Sequence, residues 1–128
     1  MQEKHLFEYA VIRIVPKVER EEFLNVGVVL YCKRPVFLKS KISLNAKRLM
    51  SIFPDIDIEE ITAHLRAFEQ IIAGDTGAGP IAALDTASRF RWLTAKRSTI
   101  LQTSAVHPGI CKDPGLTLNN LFDQLVSC

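Results

Sequence analysis

Apolar and polar positions in the first third of the chain fall into three runs that read as strands. Phe7 to Val15 (FEYAVIRIV) is rich in β-branched and aromatic residues and stops at Pro16. Phe23 to Cys32 (FLNVGVVLYC) is a second run, closed by the turn residues Lys33-Arg34-Pro35. Val36 to Leu44 alternates, with Val36, Leu38, Ser40, Ile42 and Leu44 on one side and Phe37, Lys39, Lys41 and Ser43 on the other. That period marks a half-buried antiparallel strand. The period then changes. Asn45 or Ser43 caps a short helix through Phe53, ended by Pro54. Asp57 with Glu60 imitates a capping box, and Ile58, Ile61, Leu65, Phe68 and Ile72 form one helical stripe that Gly74 terminates. Beyond a flexible loop from Gly74 to Pro80, the pattern predicts a helix over Ala83 to Ala95 and a fourth strand over Thr99 to Val106. Pro108 to Gly115 reads as an irregular turn region. Leu118, Leu121, Phe122, Leu125 and Val126 give a C-terminal amphipathic helix, with Thr117 as its cap. Strands first and helices after is an α+β order: an N-terminal three-stranded antiparallel meander plus a later fourth strand, packed with three to four helices.

Register decides what each sheet face carries, because a slip of one residue turns every side chain over. Pairing Ile14 with Leu24, Ile12 with Val26 and Ala10 with Val28 makes one face wholly apolar. A shift by one sets Arg13 beside Leu24, and burying an unpaired charge is costly. The third strand extends the pattern, with Leu30 opposite Leu38, Val26 opposite Ile42 and Lys41 opposite Gly27. The second face then gathers Tyr9, Arg13, Asn25, Lys39 and Lys41 around Gly27, with Glu22 at its margin. A glycine inside a strand marks a bulge or a close approach, so this face reads as a contact floor for an anion or a peptide, with Arg13 as forked donor. The competing reading is structural: Tyr9 and Arg13 lie beneath the Ala83 to Ala95 helix, with Arg13 paired to Glu22 or Glu8.

Composition narrows the classes. At 128 residues, 48% hydrophobic and 23% charged, the chain is expected to fold as a single globular domain spanning residues 1–128. No apolar run is long enough to span a membrane. Three cysteines without a CxxC pair and a polar start point to reduced thiols and a cytoplasmic protein. Histidines and cysteines share no ligand spacing, so neither a metal nor a cofactor is expected. Gly77 and Gly79 lack the lysine-serine ending of a phosphate loop. His107 near Cys111 has no orienting third group, which argues against a nucleophile and base. The net charge of +2 is small but blocked: residues 33–48 hold six basic residues and no acid. A second basic block, Arg89-Phe90-Arg91-Trp92 with Lys96 and Arg97, interleaves cations with aromatics, as nucleic-acid binders do. Its structural counterpart is a helix with Phe90 and Leu93 in the core and solvated cations.

The residues that carry a wider likeness are Tyr9-Ala-Val-Ile-Arg13, Pro16 and Glu22-Phe23-Leu24-Asn25-Val26-Gly27-Val28-Val29-Leu30. Looser blocks are Arg91-Trp92-Leu93-Thr94 with Arg97-Ser98 and the Ile100 to Ser104 strand, and Asp113-Pro114 ahead of the Leu121-Phe122 helix. This pattern resembles a bacterial family catalogued as domain of unknown function 3037. The resemblance supplies no catalytic residue and implies a regulatory setting beside HipA-like kinases, hence a protein partner. Taken together, the expectation is a non-enzymatic interaction or regulatory module that binds a protein partner or small anion on the polar sheet face. The site residues expected are Tyr9, Arg13, Glu22, Asn25, Gly27, Lys39, Lys41, Arg91 and Arg97. The alternative is a nucleic-acid-binding protein using basic residues 39–48 and 89–97. An uncovered edge strand or the C-terminal helix offers a route to a homodimer.

Overall fold

The computed structural model describes residues 3–17, 20 and 22–126. They form an α+β fold in which a five-stranded antiparallel sheet carries helices on both faces. In chain order the strands are β1 (His5–Ile14), β2 (Leu24–Cys32), β3 (Phe37–Ile42), β4 (Leu101–Thr103) and β5 (His107–Cys111). The helices are α1 (Ala46–Ile52), α2 (Ile58–Ala73), α3 (Thr86–Leu93) and α4 (Pro114–Leu125). Strand order is β3-β2-β1-β4, and β5 also pairs with β1, along its N-terminal half.

Local signals set most of the helix ends. Asn45 and Asp57 cap α1 and α2 as their sequence predicts, and Gly74 closes α2 at φ 70°. The expected helix over Ala83 to Ala95 contracts to α3, capped by Asp85; the glycine loop before it holds one short 3-10 turn, Thr76–Ala78, and a second, Pro80–Ala83, follows from its end. Asp113, not Thr117, caps α4, accepting from the N–H groups of Gly115 and Leu116 behind Pro114 at the first turn. The expected fourth strand narrows to β4. Within the region expected to be irregular lies β5, whose Pro108 sits opposite Glu8 at the sheet edge, where a missing N–H is tolerated.

The register departs from expectation. Ile14 opposes Leu24 and Arg13 opposes Asn25, but a bulge follows, and Ile12 then faces Gly27, Val11 faces Val28 and Ala10 faces Val29. Across β2 and β3, Leu30 faces Lys39, Val28 faces Lys41 and Gly27 faces Ile42. Val28 and Leu30 therefore change sides. The physical reason is that both faces are covered, so moving two apolar residues from one to the other loses no burial. One face, with Ala10, Ile12, Ile14, Val29 and Tyr31, packs against α1, α2 and α3 through Leu49, Ile61, Leu65, Phe68, Phe90 and Leu93. The other, with Phe7, Val28, Leu30 and Cys32, packs under α4 through Leu118 and Phe122.

Candidate functional site

Of the residues expected to share the polar face, Tyr9, Arg13, Asn25, Lys39 and Lys41 do lie on one side of the sheet, the α4 side, at separate points along it, whereas Gly27 and Glu22 do not join them. Gly27 belongs to the opposite face from Arg13, and it is a glycine for a packing reason. A Cβ there would lie 2.8 Å from both the Lys41 carbonyl oxygen and Ile42 Cγ1. The close approach that the glycine marks is thus β3 itself, not a ligand. Tyr9 lies on the α4 face, its ring between those of Phe7 (centroids 6.1 Å apart) and His107 (5.3 Å). Glu22 is drawn off to Arg20, 2.6 Å away, beside a recess of about 340 Å³ floored by Phe53, Ile56 and Ile100.

Arg13 and Asn25 do converge. They are direct cross-strand partners at the end of the sheet beyond the bulge, and Gln102 opposes Arg13 from β4 on its other side. Asn25 Nδ2 donates to the Leu125 carbonyl at 3.1 Å, fastening the C-terminal end of α4 over this end of the sheet. Its Oδ1 is buried and has no hydrogen-bond partner among the described residues, and the same holds for Arg13 Nε. The guanidinium carbon stands 4.1 Å from the centre of the Phe23 ring, a cation–π contact with a residue that is itself 48% exposed. Burial pushes the Arg13 pKa down, and none of the three ion pairs among the described residues involves it. The structural alternative for Arg13 fails on both counts: Glu22 pairs with Arg20, Glu8 pairs with Arg91, and α3 lies on the other face.

The three arginines of the second basic block each bond within the chain. Arg91 makes a bidentate pair with Glu8, at 2.8 and 2.7 Å, which holds the Glu8 carboxyl below its usual range. Arg97 donates to the carbonyls of Trp92 and Leu93 at the end of α3 and stacks 4.2 Å over the Trp92 ring. Arg89 Nη1 donates to the carbonyls of Ile71 and Ile72, both at 3.0 Å, closing the C-terminal end of α2. Lys39 and Lys41 point from β3 to the α4 face, over Phe37 and Phe122. Lys39 and Lys41 thus stand on the sheet face opposite α3, while Lys47 and Arg48 of the same basic run belong to α1, on the face that α3 shares. His107 lies against Tyr9, while Glu22 and Asn25 line separate recesses.

Phe23 and Gln102 are site residues that strand reading did not nominate. The available signal was Phe23 itself, an aromatic placed beside the expected polar face without an obvious cover. Among the described residues, no helix is long and apolar enough to cross a membrane, and Cys32 and Cys111 are free and buried. A family model described as "Protein of unknown function (DUF3037)" matches residues 9–126, and the chain belongs to that family. No curated protein and no solved structure matches it.

Proposed function

We propose that this member of the family is a non-enzymatic binding module that takes a protein partner through a carboxylate set against Arg13. The observation that supports the reading is the guanidinium: partly withdrawn from water, stacked on Phe23, and without a carboxylate among the described residues. A charge held this way weakens the fold unless something else uses it. An incoming carboxylate accepts from the fork in a charge-assisted pair. Arginine beside a half-exposed aromatic is also the composition of an interface anchor. A small anion matches the charge but leaves Phe23 uncovered, so a protein surface is the better fit. The family resemblance makes a HipA-like kinase the first partner to try.

The test is calorimetric titration of such a kinase into the wild-type protein, Arg13→Met and Arg13→Lys. Binding by the wild type, with at least a tenfold loss in Arg13→Met and unchanged thermal unfolding, is the expected result. Equal affinity across the three proteins contradicts the reading. A parallel NMR titration with N-acetylglutamate reads the carboxylate contact directly. The Arg13 and Asn25 side-chain resonances are expected to move first, and their silence counts against the site.

A further inference from the structure

A second surface lies at the far edge of the sheet. Among the described residues β3 pairs with β2 alone. The Ser43 N–H donates to the Val26 carbonyl at 2.8 Å, which sets the phase of the ladder. Antiparallel pairs alternate between bonded and non-bonded, so Lys39 and Lys41 turn their backbone groups toward β2, and Leu38, Ser40 and Ile42 turn theirs outward. An outward row of N–H and C=O groups is a template for another strand.

Beside that edge runs a groove of about 580 Å³ between β3 and α2. Its apolar lining comes from Ile42, Leu44, Leu65 and Ala73, and its polar lining includes Arg66 and Glu69. On the other side of the same edge stand Lys39 and Lys41, both exposed. They belong to the run of six cations at 33–48, all exposed, none of which enters an ion pair among the described residues.

We propose that the β3 edge accepts an extended acidic segment of another protein as an added strand. Side chains of a strand alternate between faces. The segment's residues toward α2 must therefore be apolar, to enter the groove at Ile42 and Leu44, and those between them acidic, to meet Lys39 and Lys41. The same lysines discourage a second copy of this chain, since pairing β3 with β3 brings like charges together. Main-chain bonds supply the affinity and the alternating pockets the selectivity, as in other strand-addition sites. This surface does not depend on the Arg13 reading.

A blocked hexapeptide alternating valine and glutamate is the probe, titrated into uniformly 15N-labelled protein at low salt. Controls are the same peptide with alternate backbone nitrogens methylated on its pairing edge, and a valine–lysine peptide. Shifts centred on Leu38 to Leu44 and the Leu65 to Ala73 side of α2 are expected. Affinity should fall at least tenfold on N-methylation, in the lysine peptide, and in the Lys39→Glu/Lys41→Glu variant. Ser40→Pro, which removes an outward N–H and leaves the bonds to β2 in place, should weaken binding without unfolding the sheet. If Ser40→Pro does not fold, the N-methylated peptide reads the same bond from the other side. Equal binding of the N-methylated peptide makes the contact electrostatic only and overturns the proposal, as does no binding at all. Self-association of the protein alone, removed by Lys39→Glu/Lys41→Glu, places a second copy on the edge and also overturns it.

Discussion

Arg13 and Gly27 stand on opposite faces of the sheet. Gly27 is fixed by β3: a methyl group there meets the Lys41 carbonyl and the Ile42 backbone as well as the base of the Ile42 side chain. Gly27→Ala is therefore expected to cost about 1–3 kcal/mol by overpacking, measured as a lowered urea midpoint. Reading the glycine as a mark of close approach was sound from sequence. Its partner was not legible, because the bulge that turns it over depends on how both faces are packed. Arg13 and Asn25 were legible as a pair because they lie on the unshifted side of that bulge. Phe23 was harder, since its role rests on a cation–π contact that strand alternation does not encode.

The elements with local signals were the readable ones. The stripe and both ends of α2 follow from Asp57, Glu60 and Gly74, whereas its final carbonyls are closed by Arg89 from a different helix. Arg89→Ala is expected to cost about 1.5–3 kcal/mol, the range for a hydrogen bond to a charged group. Faster hydrogen exchange in the last turn of α2 checks this. Basic-aromatic spacing around Trp92 resembled a nucleic-acid patch because sequence shows cations without showing what they bond. β5 is not legible for a related reason: Pro108 and Gly109 are turn signals, yet one sits at an edge and the other lies under the Phe7 ring, which leaves no room for a Cβ.

At the scale of the molecule, the α+β order and the meander were readable from the change of period alone. A sheet covered on both faces was not, because alternation in β3 looks half-buried when α4 covers only part of the second side. Glu8 and Arg91 tie β1 to α3 on the face opposite α4. The bond from Arg91 depresses the Glu8 pKa, so its stabilisation is complete above the usual glutamate value of about 4.3 and is lost as pH falls through the lower folded value. Glu8→Gln should lose less than about 1 kcal/mol at neutral pH, as exposed pairs do, and flatten the acid limb of the stability curve. Acid unfolding followed by circular dichroism reads both effects.

Whether the fold holds Arg13 without needing it is read by urea unfolding of Arg13→Met beside the wild type. A midpoint equal to or above that of the wild type with the same slope is expected, since a partly desolvated charge is exchanged for an apolar chain of similar reach. A loss of more than about 2 kcal/mol, the scale of a charged hydrogen bond removed from the interior, would make the guanidinium part of the scaffold and contradict it.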